Sequence, residues 1–411
     1  MKIAYITMGF PKPSETFIST DIHALQELGM QVEVYGLRGP NRIHKKLVEE
    51  RNHDNLKIKN SSFKIVVKGL STLVSQPRYF FSLLFWTIKN GYKNPVHFLK
   101  SFLLFPSVLG QFVDINNENY DVIHLVWGHY PSMLGFLVHK YNKDVVLSHF
   151  LGAYDLTRNY PGSVSVANNA DLVFTHSSSN LELLKKRGID RNDIKVIHRG
   201  TAALPFFSKA KISPAKEEIV FLTASRLIET KGVQYVLQIF EQVHKVYPNS
   251  SLRIAGDGNY LNTLKNKAAD LKSASKIYFL GRIDQTALLN EMANADFFIL
   301  MSHHPSERLP NVVKEAMAMQ CFIVTTKTIG IDELLLDGVT GRIVAQHDYQ
   351  NAAKAIFEAL ADPENKEKIQ LNAQRFIEKN FDVYKLMERY KLLWEAKLKN
   401  KKSLETETAQ D

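Results

Sequence analysis

Five short apolar runs, EIVFLTASRL, SLRIAGDG, KIYFLGR, ADFFILMS and CFIVTT, follow one another between residues 218 and 326, with a helix-period stretch after each of the first four. Each run is too short for a helix of ordinary length and is bounded by Gly, Ser or a charged residue, so it reads as a strand. Because the runs are apolar throughout rather than alternating, both faces of the sheet they form must be covered. Strand, helix, strand, helix in that order predicts a parallel sheet wound with helices, the α/β class. The helices are expected from Val233, Tyr260, Thr286 and Asn311.

The first half carries a looser version of the same pattern. KIAYITM is followed by Ile18, Ile22, Leu25 and Leu28 at helical spacing, by Gly29 as a stop, and by QVEVYGL; further on come YDVIHLVW, DVVLSHF and ADLVFTHSS. A chain of 411 residues exceeds one ordinary core, which predicts two or more domains. The pattern breaks at ALPFFSKAKISPAKEE, residues 203–218, which is punctuated by Pro and Lys and has no period. The expected domains are therefore residues 1–205 and 206–375, with residues 376–411 forming a final helix that packs back towards the first domain and ends in a polar tail.

Composition narrows the function. With 45% hydrophobic and 23% charged residues the chain reads as globular. A single cysteine, Cys321, lies in an apolar run and excludes disulfides within the chain, and MKIAYITMGF offers no cleavage site, so a cytoplasmic location is expected. A formal charge of +10 favours anionic partners; with no nucleic-acid module present, phosphorylated small molecules or an anionic membrane are preferred. Residues 78–110, RYFFSLLFWTIKNGYKNPVHFLKSFLLFPSVLG, are aromatic and dotted with basic residues. They read either as core-packing helices or as an interfacial pair with Lys89, Lys93 and Lys100 towards anionic lipid, possessing no run of the roughly 20 residues needed to span.

No cysteine pair, helical histidine pair or acidic doublet supports a metal, and no G-x-S-x-G elbow supports a hydrolase, so no cofactor is expected. SRLIETKG follows a strand and opens a helix, placing Arg226 and Lys231 around a loop with Gly232 at the helix entrance; two cations beside helix N–H donors suit a diphosphate. SHHPSERLPNVVKEAMAM, residues 302–319, has the same form. Pro305 and Pro310 stiffen a loop, a helix begins near Asn311, and Glu307 and Glu315 stand eight residues apart. Taken singly, each glutamate reads as a helix-start charge favoured by the dipole; beside Arg226 and Lys231, that reading weakens.

SRLIETKG, AGDG at 255–258, FLGR at 279–282, ERLPNVVKEAMAM and GIDELLLDGVTGRIV at 330–344 together resemble the retaining glycosyltransferases of family 4, over nearly all of residues 218–395. FPKPSETFI and LGAYDL in the first half are similar to the members that build exopolysaccharide and lipid-linked glycans. The resemblance implies a GT-B fold, two doubly wound domains facing each other across a cleft. It also implies retaining, metal-independent transfer of a sugar from a UDP- or GDP-sugar to a lipid-linked or polysaccharide acceptor. By the same resemblance Arg226 and Lys231 hold the diphosphate, and Glu315 holds the ribose. Glu307 holds the transferred sugar, and Leu309, Pro310, Asn311 and Val312 offer backbone to phosphate and sugar oxygens. Gly256 and Asp257 line the donor site, and Arg282 and Ile283 meet the base. Ser14, Glu15 and Thr16 form an acceptor-side loop, with Asp155 near donor sugar and acceptor.

Departures from the family pattern are specific. Arg308 stands where the family usually has Gly, which points to a side chain that crowds the sugar pocket or meets an anionic acceptor. Gln320, Cys321 and Phe322 replace the usual Gly-x-Pro turn, HRGTAAL at 198–204 lacks the usual hinge residues, and His149 lies three residues before Gly152, out of the usual register. Two rival readings use the same diphosphate apparatus: a nucleotide-sugar 2-epimerase, with Glu15 and Asp155 as acid and base, and a non-catalytic nucleotide-sugar-binding subunit.

Overall fold

The computed structural model describes residues 1–12, 15–91, 94–152, 155, 160–201 and 218–408. In chain order the first half holds β1 (Lys2–Thr7), α1 (Thr16–Glu27), β2 (Gln31–Gly36), α2 (His44–Glu50) and β3 (Lys57–Asn60). Then follow α3 (Phe63–Ser75), α4 (Pro77–Gly91), α5 (Pro95–Asn116), β4 (Val122–Leu125), α6 (Pro131–Tyr141) and β5 (Val146–Phe150). α7 (Pro161–Asn169), β6 (Leu172–Thr175), α8 (Leu181–Lys186) and β7 (Lys195–Val196) complete it. The second half begins with β8 (Ile219–Ala224), α9 (Val233–Val246), β9 (Ser250–Ala255), α10 (Leu261–Ala269), β10 (Ile277–Gly281) and α11 (Gln285–Asn294). It continues with β11 (Phe297–Leu300), α12 (Asn311–Ala318), β12 (Phe322–Thr326), β13 (Arg342–Val344), α13 (Tyr349–Ala361), α14 (Pro363–Asn380) and α15 (Val383–Thr408).

Two compact units result, Met1–Gly200 with Val383–Asp411, and Thr201–Asp382. The division falls at 200/201 and 382/383, where 205/206 and 375/376 were expected; residues 205 and 206 lie outside the described residues. In the first unit seven parallel strands run in the order β3-β2-β1-β4-β5-β6-β7. α15 joins this unit by packing on α1 and β5: Trp394 is fully buried and its Nε1 donates to Ser148 Oγ at 2.9 Å, while Tyr390 stacks on Phe174. In the second unit six parallel strands run β10-β9-β8-β11-β12-β13. Its central strands are buried on both faces, as their unbroken apolar sequences require. Cys321 is buried here, its Sγ 3.1 Å from the Met292 carbonyl.

Residues 78–110 resolve into α4 and most of α5. Tyr79 and Leu83 of α4 and Leu104, Phe105 and Val108 of α5 enter the first unit's core, while Phe81, Phe85, Leu99 and Leu103 stay exposed. α5 corrects the expectation that no run here is long enough to span: it is a continuous 22-residue helix through Pro106, long and apolar enough by length and composition to cross a membrane, yet its second half lies in the core. Lys93 lies outside the described residues.

Candidate functional site

An open parallel sheet forms a crevice where the chain's winding reverses, because the loops leaving two adjacent strands there turn to opposite faces. In the second unit that point falls between β8 and β11, which pair at Phe297↔Phe221 and Phe298↔Leu222. The loop after β8 carries Arg226 and Lys231; the loop after β11 carries Ser302 to Pro310 and runs into α12. Sequence reasoning picked these two loops separately, and the strand order makes them neighbours.

They are tied together closely. Gly232 has φ +72°, and a Cβ at that position would collide with the Met301 carbonyl oxygen, so only glycine lets the first loop lie against the end of β11. The His303 amide donates to the Thr230 carbonyl at 2.9 Å. Across this join Lys231 Nζ is paired with Glu307 Oε2, and the same carboxylate oxygen accepts from Ser302 Oγ at 2.9 Å. Both partners of the ion pair are largely but not fully buried. The exposed guanidinium of Arg226 enters no ion pair among the described residues. His304 stands among these groups, its imidazole pKa lowered by burial and then by the Lys231 charge, with Arg226 adding to it and Glu307 opposing.

α12 starts behind Pro310, whose own missing N–H is harmless at a helix start, and no side chain caps that start. Among the described residues no side chain accepts from the amides of Asn311 and Val312, while Val313 and Lys314 bond back to the Pro310 carbonyl. One turn in, Glu315 is only 7% exposed and its Oε1 accepts from Gln285 Nε2 at 2.9 Å. Burial raises its pKa to about 7, with the Gln285 bond and the Lys314 charge opposing. Lys314 beside it is itself buried, with Nζ on Asn311 Oδ1 at 3.1 Å.

Gly256 and Asp257 follow β9. Gly256 has φ +137° with a position that only a glycine fits against the Ser225 carbonyl, and the Asp257 carbonyl accepts from the Leu227 amide at 2.9 Å, so this turn braces the Arg226 loop. Arg282 and Ile283 follow β10, the first exposed and the second packed on the core. The neighbouring Asp284 caps α11 by accepting from the Ala287 amide, which sets Gln285 towards Glu315.

Arg308 corrects an expectation. Its side chain is 4% exposed and folds back, Nη1 donating to the carbonyls of Pro305 at 2.9 Å and Glu307 at 3.0 Å, so it neither crowds a sugar nor reaches an acceptor. It buttresses the loop that carries Glu307. Gln320 stands at the glycine position of the family's turn with φ +58°, and its Nε2 donates to Gln374 Oε1 at 2.8 Å.

The remaining candidates belong to the first unit. Glu15 precedes α1, with Oε1 3.3 Å from Lys12 Nζ and Oε2 buried; Thr16 opens the helix; Ser14 lies outside the described residues. Asp155 is buried, accepts from the Gly152 amide at 3.0 Å, and has its pKa raised to about 7 by burial against the opposing Gly152 and Gly128 amides. Sequence reasoning missed Arg199. It is sandwiched between the rings of Phe17 and Phe150, 3.6 and 4.0 Å from their centroids, and paired with Asp21 at 3.6 Å.

Comparison with known proteins bears on the fold and on the segment that carries these loops. Residues 206–376 match the family model described as glycosyl transferases group 1. A lipopolysaccharide core biosynthesis glycosyltransferase, LpsE of Rhizobium meliloti (strain 1021), is 28% identical over 53% of this chain and 62% of its own length. A GDP-mannose-dependent phosphatidylinositol monomannoside mannosyltransferase of Mycolicibacterium smegmatis is 32% identical over 35% of this chain and 39% of its own. The chain thus spans less than two thirds of either relative. Among solved structures, HepE of Anabaena in complex with UDP superposes with a TM-score of 0.73 at 20% identity, covering 96% of this chain and all of that one. Over its length the chain has the α/β, two-sheet GT-B fold, and its segment 206–376 matches the glycosyl transferases group 1 family.

Proposed function

We propose that the protein moves a sugar from a nucleoside diphosphate sugar, UDP- or GDP-linked, to a hydroxyl of a lipid-linked or polysaccharide acceptor, with retention at the anomeric carbon. The observation that carries this reading is the convergence of Lys231, Glu307 and the uncapped start of α12 at the β8/β11 crevice, inside the segment that matches the family. The relatives named above support the donor class: one is GDP-mannose-dependent and one was solved with UDP. LpsE supports a glycan of the cell envelope as product.

In this reading the bond from the anomeric carbon to the diphosphate oxygen breaks, the acceptor oxygen bonds on the same face, and the acceptor hydroxyl passes its proton to the departing diphosphate oxygen. The leaving diphosphate gains negative charge, which Arg226, Lys231 and the Asn311 and Val312 amides stabilise without a metal. Glu307, anchored by Lys231 and Ser302, orients the sugar hydroxyls, and Glu315 accepts the ribose hydroxyls. Gly256, Asp257, Arg282 and Ile283 flank the nucleoside. Glu15, Thr16 and Asp155 of the first unit serve the acceptor. The acceptor lies at the inner face of a membrane, with residues 78–110 in contact with anionic lipid.

Lys231→Ala tests the assignment. Turnover should fall by roughly 10²-fold or more, the loss expected for one such electrostatic partner, with circular dichroism unchanged. Wild-type turnover in that variant would remove the diphosphate site. Incubation of a nucleotide sugar without acceptor should give no epimer, and chelation by EDTA should leave transfer intact.

A further inference from the structure

The first unit has an apolar face that its own fold does not cover. Of the 19 large hydrophobic residues exposed among the described residues, 11 fall between Phe63 and Leu103, a tenth of the chain. Scattered exposed apolar residues are ordinary, but a concentration of this kind marks a surface with a partner.

The residues are patterned as well as concentrated. On α3, Phe63, Val67, Leu70 and Val74 recur every three or four residues, and Phe63 and Val74 are 84% and 88% exposed. On α4 the stripe is Phe81, Phe85 and Ile88; on α5 it is Val96, Leu99 and Leu103, the last 78% exposed. Each stripe is one face of a helix whose opposite face is packed inward. The three helices are neighbours, α5 packing on both others. Gly69 lies so close to Pro106, and Gly110 to Ile65, that a Cβ at either would overlap backbone, so α3 is clamped to α5 rather than loosely attached. Lys68 adds an ion pair to Asp114 at the same join.

Charge identifies the partner. From Ser61 to Val113 there are six Lys or Arg and no Asp or Glu, in a chain with 42 acidic residues. Lys64, Lys89 and Lys100 are exposed and pair with no carboxylate among the described residues. A second copy of the same face would bring like charges together, because a two-fold contact sets a patch against itself. An anionic bilayer answers both features, apolar stripes to the acyl boundary and lysines to the headgroups. α5 cannot enter as a span, since its second half is core.

We propose that α3, α4 and α5 form a rigid platform that lies in the plane of an anionic phospholipid surface, with α3, through Phe63 and Val74, contributing as much as the two helices after it. This extends the membrane contact in the proposed function to a new element, and its test separates the two.

The full chain should float with vesicles containing phosphatidylglycerol and float poorly with phosphatidylcholine alone. The double variant Phe63→Ser, Val74→Ser should lower the binding constant by about tenfold or more, the scale of withdrawing two large side chains. The triple variant Lys64→Glu, Lys89→Glu, Lys100→Glu should abolish the preference for phosphatidylglycerol. Both variants change exposed side chains, and unchanged melting together with stabilisation by UDP equal to wild type would show that the donor site is intact. A wild-type chain that ignores both vesicles overturns the proposal, as does a double variant that floats undiminished. Concentration-dependent dimers that the double variant abolishes would assign the face to a second copy instead. None of these outcomes bears on Lys231, so the donor site stands or falls separately.

Discussion

Arg308 makes two hydrogen bonds to carbonyls of its own loop, one of them Glu307's, from a nearly solvent-free position. Both bonds leave one nitrogen, Nη1, at the far end of a rigid planar group, and the shorter flexible Lys stem does not place its ammonium there. Removing Arg308 takes the donor from two partly buried bonds, at a cost of about 1 kcal/mol each, and frees the segment that holds Glu307 against Lys231 and Ser302. Arg308→Ala is therefore expected to melt several degrees lower and to lose kcat more than donor affinity, with Arg308→Lys no better; Michaelis parameters and thermal scans of both variants decide it. Equal kcat in Arg308→Ala would show that Glu307 needs no buttress. Glu315 is a second single-residue case. Its carboxyl is raised to about 7 by burial, whereas a ribose hydroxyl donates to the ionised form. Donor binding should then release a proton below neutrality: affinity for UDP should rise as pH increases from about 5 to 7, and Glu315→Gln should flatten that rise in isothermal titration.

At the scale of elements, the site depends on one turn and one helix start. Gly232 closes the loop after β8 with left-handed backbone and no room for a Cβ. Gly232→Ala should lower stability by about 2–4 kcal/mol through strain and overlap, and abolish stabilisation by UDP; if scanning calorimetry finds the variant as stable as wild type and still UDP-responsive, the loop is not held as described. The same elements show what a sequence can reveal. Ten strands were legible because buried parallel strands are written as unbroken apolar runs. β3, β7 and β13 were not: KIKN alternates lysine, KV has two residues and RIV three, and each sits at a sheet edge with a neighbour on one side only. The two loops of the site could be read from their residue types, but their adjacency needed strand order. Gln285, thirty positions before Glu315, gave no signal because α11 and α12 meet only in space. Arg308 was visible as a departure, while the direction of its side chain was not.

For the molecule as a whole, the two units should respond to acid in opposite senses. Burial lowers the pKa of His53, His124, His129 and His149 to about 3, and all four belong to the first unit. A base whose folded pKa is depressed contributes stability above its unfolded pKa, near 6.5, and loses it as pH falls, because the unfolded chain takes up the proton first. Asp155 works the other way, protonated in the folded unit below about 7 but ionised when unfolded until near 3.8. Four histidines outweigh one carboxyl, so the first unit loses stability as pH falls below about 6. In the second unit the raised carboxyl of Glu315 gains stability over the same range, against smaller losses from His303 and His304. Trp86, Trp127 and Trp394, the chain's three tryptophans, all lie in the first unit, so indole emission reports on it alone. Acidification should red-shift that emission before hydrogen exchange shows β8 to β12 opening. His149→Leu, which removes a fully buried imidazole, should move the fluorescence midpoint to lower pH. An unmoved midpoint, or exchange in β8 to β12 rising together with the fluorescence, would place the acid sensitivity elsewhere than in these buried imidazoles.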